Sequence, residues 1–292
     1  MFEGVGTALI TPFLKDGGID EDGLKKLIEI QESNGVDFVV PCGTTGESAT
    51  LSHEEHKRVV DLTIRYANRM KVLAGTGSNN TVEAMDLTRH AKDSGADGVL
   101  VITPYYNKPT PAGMIKHYEM LSNVDIPIIV YNVPGRTGVN IDVQTMLKIS
   151  KLPNIVGVKE ASGNISQIMN IILRAPEGFT VLSGDDGLTF PLMCLGARGV
   201  ISVASNIVPG EMVRMVHSLL KGDISTARGL HFRMLPLFEN LFLETNPIPV
   251  KTAMAEMGLP AGGLRLPLTA MDPRKYEILR KTLIDLGVLK VG

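Results

Sequence analysis

Short apolar runs recur along this chain at roughly even intervals, and segments with helical periodicity separate them. Eight runs predict buried strands at residues 5–10, 38–41, 72–74, 98–102, 128–131, 155–159, 180–183 and 199–203. Helical periodicity is found at residues 23–34, 54–68, 82–94, 112–123, 143–150, 165–174 and 210–221. This alternation is typical of parallel sheets, and its repetition favours a closed barrel over an open sheet. We therefore predict an α/β fold, a (β/α)8 TIM barrel.

The length of the chain is compatible with either two modest domains or one large barrel. Its 292 residues are close to the ~250 that a single (β/α)8 barrel uses. The 30 glycines and 17 prolines are spread along the sequence rather than pooled in a linker. We assign residues 1–222 to the barrel and residues 223–292 to a C-terminal helical extension packed on it. The extension has helices predicted at 223–243, 249–257 and 273–286, and these are candidates for a subunit contact.

Three sites have the sequence of a capping box, in which the residue before a helix and the residue three positions later exchange hydrogen bonds. The three pairs are Ser52 with Glu55, Asn80 with Glu83, and Asn164 with Gln167. Each pair predicts the start of a helix.

Composition excludes several classes of partner and location. With 29 basic and 31 acidic residues, a net charge of −2 and no Trp, the chain lacks the basic patch of a protein that binds nucleic acid or an anionic membrane. No run approaches ~20 apolar residues, and the amino terminus lacks the pattern of a signal peptide. We expect a soluble, cytoplasmic protein. Cys42 and Cys194 are expected to stay reduced there, and their spacing is not that of a metal site.

Lys159 ends one of the apolar runs and is followed by turn residues at 161–164. The carboxyl end of a parallel strand is where α/β folds keep their catalytic groups. Burial disfavours the ammonium form, so the pKa of such a lysine falls and its amine can form a Schiff base with a carbonyl carbon. A strand-end lysine can also reach solvent along its apolar stem, and the residue alone leaves that alternative open. Lys71 opens its strand and so lies at the opposite end of the predicted barrel.

Polar segments follow three other strands, and the carboxyl ends of all eight should meet at one mouth of the barrel. Residues 42–48 contain glycines beside hydroxyl groups, which suits a tight loop that binds an anion. Residues 103–109 and 131–138 follow strands 4 and 5. Together with Lys159, these segments supply phenols for proton transfer, hydroxyls and amides for one carboxylate, and a guanidinium for another. Carbonyl chemistry requires this set of groups.

Other mechanisms have less support in the sequence. His53 and His56 lie three positions apart on a first helical turn, so they do not form the His-Glu-x-x-His pair of a zinc site. We expect them at the surface or at an effector site. Cys42 lies near the mouth, but the sequence places no histidine to activate it, and we expect a buried core thiol.

Three segments resemble signatures of the pyruvate-dependent class I aldolase superfamily. They are Gly-Thr-Thr-Gly-Glu at 43–47, Tyr-Asn-Val-Pro-Gly-Arg-Thr-Gly at 131–138 and Gly-Val-Lys-Glu-Ala at 157–161. Within the superfamily the chain is most similar to the dihydrodipicolinate synthase family, from the first strand to the last helices. The resemblance implies a lyase that condenses pyruvate with L-aspartate 4-semialdehyde through a lysine Schiff base. That reaction is the first committed step of lysine biosynthesis through diaminopimelate, and it needs no metal or organic cofactor.

The resemblance also implies the catalytic roles. Lys159 would form the Schiff base with pyruvate. Tyr131 would donate and accept protons during imine formation and ring closure. Thr44 would link Tyr131 to Tyr106, which in this family reaches in from a neighbouring subunit.

Substrate binding is implied for four further positions. Thr45 and its loop amides would hold the pyruvate carboxylate, and Gly184 with the backbone of Ile201 would complete the pocket. Arg136 would bind the carboxylate of aspartate semialdehyde. The family is usually a dimer of dimers, so the resemblance implies a homotetramer.

Members of the family that are inhibited by L-lysine have an effector site at a dimer contact. The corresponding positions here are Ser48, Ala49, Leu51, His53, His56, Asn79, Glu83 and Tyr105. Glu83 could pair with the ammonium group of lysine, and the histidines could lie near its carboxylate. We therefore expect feedback inhibition by L-lysine.

Two alternatives remain open from the sequence. An aldolase for N-acetylneuraminate or a 2-keto-3-deoxy sugar acid, from the same superfamily, would share the lysine and the tyrosine. Its pocket would need hydroxyl-binding groups where Arg136 here suits a carboxylate. A ligand-binding barrel without catalysis is an alternative of another class, and it predicts neither an imine with pyruvate nor turnover.

Overall fold

The computed structural model describes residues 2–290. Eight parallel strands follow one another around a closed barrel, and β8 pairs with β1 to complete it. The strands are β1 (Gly4–Ala8), β2 (Phe38–Val40), β3 (Lys71–Gly75), β4 (Gly98–Ile102), β5 (Ile128–Asn132), β6 (Ile155–Glu160), β7 (Thr180–Ser183) and β8 (Gly199–Ser202). The predicted TIM barrel is confirmed, with strand ends that differ from the prediction by at most two residues.

Helices connect the strands and continue beyond the barrel. They are α1 (Glu21–Ser33), α2 (His53–Tyr66), α3 (Thr81–Asp93), α4 (Pro111–Leu121), α5 (Pro134–Thr137), α6 (Val143–Ile149), α7 (Ile165–Arg174), α8 (Asp186–Cys194), α9 (Pro209–Leu220), α10 (Ile224–Asn240), α11 (Ile248–Glu256) and α12 (Pro273–Leu286). The sequence did not predict α5 or α8. The first is a single turn, and the second contains Pro191 and has no clear apolar face, so neither has the periodicity of an amphipathic helix.

The side chains of the strands divide into two apolar clusters because they alternate across the sheet. In β5, Ile128 and Val130 belong to the cluster between the sheet and the helices. Ile129 and Tyr131 belong to the cluster that fills the barrel. On β6, Lys159 is opposite Tyr131 in the ladder. Both side chains therefore belong to the inside of the barrel, at the carboxyl ends of neighbouring strands.

Of the three predicted capping boxes, one is confirmed. Ser52 accepts from the Glu55 amide, and the Glu55 carboxylate accepts from the Ser52 amide. Asn80 caps α3 through the amide of residue 82, but the carboxylate of Glu83 binds His53 and Ser78 instead of completing a box. Asn164 accepts from the amide of Gln167, whose side chain binds Asn140 and Glu160 rather than residue 164. The helix starts predicted from all three pairs are confirmed, since α2, α3 and α7 begin directly after Ser52, Asn80 and Asn164. The second hydrogen bond of the box does not form in α3 and α7, because tertiary partners attract the third-position side chains.

The predicted boundary after residue 222 falls between α9 and α10. Helix α10 packs against α8, α9 and α12, and α11 packs against α12. Lys251 on α11 reaches back to the loop after β2, where its Nζ lies 2.7 Å from the carboxylate of Glu47. The extension therefore contacts the segment that the sequence assigns to the catalytic mouth. Within residues 2–290, none of the helices has the length and apolar character to cross a membrane.

Candidate active site

Lys159 and Tyr131 form the centre of the candidate site. Their Cα atoms are opposite one another across β5 and β6, and the Nζ of Lys159 lies 4.1 Å from the centre of the Tyr131 ring. Lys159 is only 6% exposed, so it does not reach solvent along its stem. The structure thus decides between the two interpretations of this lysine in favour of a buried amine.

The surroundings of Lys159 lower its pKa to about 7. Burial is the largest cause, since it penalises the ammonium form. The Arg136 guanidinium acts in the same direction, and the carboxylate of Asp186 opposes it. A substantial fraction of the amine is therefore neutral near pH 7, which is the form that attacks a carbonyl carbon.

Tyr131 is buried and hydrogen-bonded to Thr44. Burial raises the pKa of the Tyr131 phenol, while Arg136 and the hydrogen bond to Thr44 act against that rise. The phenol stays protonated at neutral pH and can donate its proton, with Thr44 as a hydroxyl partner for the exchange. The loop after β2 supplies Thr44, and strand β5 supplies Tyr131.

A segment of the C-terminal extension completes the wall of the site. The side chain of Asn246 donates to the hydroxyl of Thr45 over 2.9 Å. The backbone carbonyl of Asn246 accepts from Arg136 over 3.1 Å. One residue of the extension thus contacts both positions to which the sequence assigned carboxylate binding.

A cavity of about 170 Å³ lies beside Lys159. Its lining includes Thr44, Thr45, Tyr131, Arg136, Lys159, Gly184, Asp185, Val203 and Asn246. A side chain at residue 184 would approach Lys159 Cε to 3.1 Å and the Cβ of Ala161 to 2.7 Å, so glycine at this position keeps space beside the lysine. Ile201 lies in the apolar cluster inside the barrel, and Val203, two residues later, lines the cavity instead.

Tyr106 is not part of this cavity within its own chain. Tyr106 is 89% exposed, and its backbone adopts a φ of 74°, which is uncommon for a non-glycine residue. The Tyr106 amide donates to the carbonyl of Thr137 over 3.3 Å. An exposed aromatic side chain on a constrained backbone is available to a second molecule.

The predicted effector residues line a larger cavity of about 470 Å³ that also includes Thr44, Tyr131 and Arg136. It is lined by Ser48, Ala49, Leu51, His53, His56, Glu83 and Tyr105 among others. Asn79 does not line it, and its carbonyl accepts from Asn107. Seven of the eight effector positions are therefore brought together, in a space continuous with the catalytic mouth.

Polar contacts within this larger cavity already use several of the groups. The carboxylate of Glu83 is bound by both His53 and Ser78. The Nε2 atom of His56 lies 2.7 Å from the carbonyl oxygen of Gly75, and burial lowers the pKa of His56. His53 is exposed and His56 is buried, so the two histidines predicted to act alike have different surroundings.

Sequence reasoning missed three residues near the centre. Asp186 is buried, and its Oδ2 accepts from the amides of Val203 and Ala204. Glu160 is 1% exposed and lies next to the catalytic lysine in the chain. Asn246 joins the site across 201 residues. Glu160 was visible as a second charge directly after Lys159 at the end of an apolar run, whereas nothing local marks Asp186 or Asn246.

Cys42 is buried at 3% exposure, as predicted for a core thiol. Burial raises the pKa of its thiol, so the reactive thiolate is disfavoured.

Comparison with known proteins places this site in a family. The profile of the Dihydrodipicolinate synthetase family matches residues 1–286. The chain belongs to this family. Members of the dihydrodipicolinate synthetase family are aldolase-type lyases, so the chain is that of an enzyme.

Relatives in the family cover almost the whole chain. The 4-hydroxy-tetrahydrodipicolinate synthase of Methanosarcina mazei is 53% identical over 292 residues, which is 99% of this chain and 100% of the relative. The protein of the same name from Methanospirillum hungatei is 55% identical over 287 residues, covering 97% and 99% of the two chains.

Solved structures from the family have the same fold. Dihydrodipicolinate synthase from Aquifex aeolicus is 49% identical with a TM-score of 0.97, over 99% of this chain and 100% of that chain. DHDPS from Cyanidioschyzon merolae, solved with lysine bound, is 40% identical with a TM-score of 0.96, over 99% of each chain. The family, the barrel and the enzyme class expected from the sequence are confirmed.

Proposed function

We propose that this enzyme condenses pyruvate with L-aspartate 4-semialdehyde, the reaction of a 4-hydroxy-tetrahydrodipicolinate synthase, through a Schiff base on Lys159. The single observation that carries the mechanism is the buried amine of Lys159 beside the Tyr131 ring, at 4.1 Å. The shared name of relatives that are 53% and 55% identical supports the choice of substrates. In metabolism this is the first committed step of lysine biosynthesis through diaminopimelate.

Imine formation is the first step of the proposed mechanism. The neutral amine of Lys159 attacks C2 of pyruvate, and the carbonyl oxygen takes a proton to give a carbinolamine. Loss of that hydroxyl as water, with a proton delivered from the Tyr131 phenol, leaves a protonated imine. Thr44 is hydrogen-bonded to Tyr131 and can return the proton to it. Thr45 and the loop amides hold the carboxylate of pyruvate.

Carbon–carbon bond formation follows from the imine. Loss of a proton from the methyl group gives an enamine, whose carbon attacks the aldehyde of aspartate semialdehyde, and the aldehyde oxygen takes a proton. The amine of the second substrate then attacks the imine carbon and displaces Lys159, which closes the ring. Arg136, exposed at the mouth and anchored to Asn246, binds the carboxylate of that substrate.

The sugar acid aldolase alternative has less support than the synthase. Both alternatives would use Lys159 and Tyr131, but the relatives reported above carry the synthase name. Arg136 at the mouth suits a carboxylate on the second substrate. The non-catalytic barrel is disfavoured by the enzyme family and by the buried amine with its pKa of about 7.

Mass spectrometry after incubation with pyruvate and borohydride tests the Schiff base. The unaltered chain is expected to gain a reduced pyruvate adduct, and Lys159→Ala is expected to gain none. Lys116→Ala is the matched control, because Lys116 is exposed on α4 and pairs with Glu119. An adduct that survives in Lys159→Ala, or no adduct on the unaltered chain, would overturn the mechanism.

A coupled assay distinguishes the substrates. Pyruvate with aspartate semialdehyde is expected to give turnover, while N-acetylneuraminate and 2-keto-3-deoxy sugar acids are not cleaved. Arg136→Lys should raise the KM for the semialdehyde more than the KM for pyruvate, because lysine loses the bidentate geometry of the guanidinium. Equal changes in both KM values would remove the assigned role of Arg136.

Regulation by L-lysine is the second part of the proposal. The lysine-bound relative from Cyanidioschyzon merolae supports it. So does the cavity that joins seven of the eight effector positions to Thr44 and Tyr131. The carboxylate of Glu83 would exchange its bond to His53 for the ammonium group of the ligand.

Titration calorimetry should therefore detect binding of L-lysine, and this binding should be weaker in Glu83→Gln. Unchanged activity at millimolar L-lysine would contradict the regulation.

A cytoplasmic homotetramer completes the proposal. Helix α7 exposes Ile165, Met169 and Leu173, which are spaced four residues apart and so share one face. Leu195, after α8, is a further exposed apolar side chain. Sedimentation of the unaltered chain should give the mass of four copies, and a monomer at micromolar concentration would contradict this assignment.

A further inference from the structure

A polar cluster with a buried centre and an exposed edge at Asn140 lies on the far side of strands β5 and β6 from the cavity. It consists of Asn132, Asn140, Glu160, Ser162 and Gln167, and is called the Glu160 network below. Asn132 and Glu160 are 0% and 1% exposed. Neither residue has a role in the mechanism proposed above, yet each immediately follows a catalytic residue in the chain.

Three groups donate to the carboxylate of Glu160. The side-chain amide of Asn132 lies 3.1 Å from Oε1 and 3.3 Å from Oε2. The amide of Gln167 lies 3.3 Å from Oε2, and the backbone N–H of Ser162 lies 2.9 Å from Oε1. Because an ionised carboxylate only accepts hydrogen bonds, both side-chain amides must turn their NH2 groups toward it.

The other ends of these amides are also bonded. The Asn132 carbonyl oxygen accepts from the backbone N–H of Ile141 over 3.1 Å. Asn140 accepts from Asn132 over 2.9 Å and donates to Gln167 over 2.8 Å. Each polar side chain of the network therefore has one orientation that satisfies all its partners. Fully satisfied polar networks with a buried centre favour a single arrangement of the strands that carry them.

The network and the catalytic pair are adjacent rungs of one ladder. Asn132 is opposite Glu160, and Tyr131 is opposite Lys159. Side chains alternate across a sheet, so the network faces the helices where the catalytic pair faces the cavity. The ladder between β5 and β6 is irregular between Ile128 and Ile129, so the start of the pairing does not by itself fix the register at its end. A slip of one residue would point Glu160 into the barrel and Lys159 out of it.

We infer that Glu160 and Asn132 are positioning residues for the reaction, which fix the register of β5 and β6 and so hold the Lys159 amine against Tyr131. The inference rests on the proposed function, because it needs Lys159 and Tyr131 to cooperate in imine formation. The network acts through the backbone and touches no substrate. Small displacements of paired catalytic groups are enough to lower rates strongly.

Glu160→Gln tests the inference, since the substitution keeps the shape of the side chain but turns an N–H donor toward other donors. At saturating pyruvate, we expect the rate of adduct formation, followed by borohydride trapping, to fall about tenfold or more. The KM for pyruvate should change less than about threefold, because the groups that hold its carboxylate lie on another loop. If Glu160→Gln does not fold, Gln167→Leu removes one donor to Glu160 and the acceptor of the Asn140 amide, and should lower the rate about threefold.

A double variant separates positioning from general damage. Asn132→Asp combined with Glu160→Gln exchanges the carboxylate and the amide, and restores complementary partners once the side-chain amides of both Asn140 and Gln167 turn over. We expect it to recover at least about half of the lost rate on a logarithmic scale. Asp37→Asn is the matched control: Asp37 anchors the opposite end of the barrel by accepting from the Val5 amide and bonding to His217. It should leave the rate within about twofold.

The outcomes are distinct. Trapping at the unaltered rate in Glu160→Gln would overturn the positioning role and leave the Schiff base intact. Equal losses in Asp37→Asn at equal melting temperature would show a general effect of destabilisation and overturn it as well. No adduct on the unaltered chain would overturn the proposed function itself, and this inference with it.

Discussion

The charge of Lys159 depends on influences of opposite sign. Burial and Arg136 lower its pKa, while the carboxylate of Asp186 raises it. The balance leaves the pKa at about 7, and the same burial raises the pKa of Asp186 to about 6. A cation and an anion that are both buried thus stabilise each other only in part, and the chemistry of the site is sensitive to either charge.

The pH dependence of adduct formation follows from this balance. The rate with pyruvate should rise as Lys159 loses its proton, with a midpoint near its pKa of about 7. An unperturbed lysine would give a midpoint near ~10.4. Asp186→Asn removes the charge that raises the pKa of Lys159 and keeps an oxygen for the amides of Val203 and Ala204, so its midpoint should move to lower pH. Borohydride trapping between pH 5 and 10 measures both, and an upward shift in Asp186→Asn would contradict the assignment.

The free energy of unfolding should also depend on the protonation of Lys159. Lys159 has a pKa of about 7 in the native state and ~10.4 in the unfolded chain, so between these values the unfolded chain binds more protons. The free energy of unfolding therefore rises with pH in that window, and the penalty of the buried amine is complete below pH 7. Lys159→Met should stabilise the protein by up to about 4 kcal/mol at pH 6, and the gain should shrink toward pH 10. Urea unfolding at several pH values measures this, and a pH-independent gain would exclude the linkage.

At the scale of elements, the loop after β2 is held from outside the barrel. The ammonium of Lys251 donates to Glu47 over 2.7 Å and to the carbonyls of Thr11 and Gly263 over 3.0 and 2.6 Å. Glu47 has a φ of 53°, so its backbone is in a region that most residues avoid. The buried ion pair supports a strained loop that carries Thr45 to the cavity.

Lys251→Met should leave the carboxylate of Glu47 buried without the ammonium that balances its charge, although the Arg265 amide still donates to it. We expect the free energy of unfolding to fall by about 3–5 kcal/mol and the KM for pyruvate to rise, because the loop that carries Thr45 loses its anchor. Adding Glu47→Gln should recover most of the stability, since no charge is then left unpaired. The matched control is Lys281→Met, which removes an exposed partner of Asp285 and should change stability by less than about 0.5 kcal/mol. Denaturant unfolding and initial rates measure both effects, and equal losses in the two single variants would contradict the role of the buried pair.

Prediction from sequence succeeded where the signal is local. Each strand lies in a short apolar run, and the barrel could be predicted from these runs and their spacing alone. Lys159 could be found because its position at a strand end is visible in the sequence. Helix α8 could not, because Pro191 and an apolar composition hide its periodicity.

The parts of the site that were missed depend on contacts between distant segments. Asn246 reaches Thr45 across 201 residues, and no spacing rule predicts such a partner. Glu83 satisfied the capping-box pattern but binds His53 in the fold, so a tertiary contact displaced the local one. The second charge directly after Lys159, at Glu160, was the overlooked signal available in the sequence.

At the scale of the whole molecule, the barrel alone does not bring all proposed catalytic groups together. Tyr106 is 89% exposed and absent from the cavity that Lys159 lines. Thr44 and Tyr131 line both cavities, so they lie between the amine and the larger cavity. An active site completed by a neighbour makes activity a property of the assembly.

Mixing two inactive variants tests this arrangement. In a dimer of Lys159→Ala with Tyr106→Phe, one of the two sites has its own lysine and the neighbour's tyrosine. Random assembly should therefore restore about a quarter of the unaltered activity. Lys159→Ala mixed with Tyr131→Phe is the control, since both residues belong to the same barrel and no intact site can form. Absence of complementation by Tyr106→Phe would indicate that this tyrosine does not act across subunits.

The contacts of Asn246 have a consequence for synthesis of the chain. The eight strands of the barrel are complete at residue 202, but the hydrogen bonds to Thr45 and Arg136 come from a residue that the ribosome adds 44 positions later. Until that segment emerges, a nascent barrel has an open wall where its substrate would bind. Bound pyruvate should therefore stabilise only the nearly complete polypeptide. Shorter translation products should stay sensitive to proteolysis at any concentration of pyruvate.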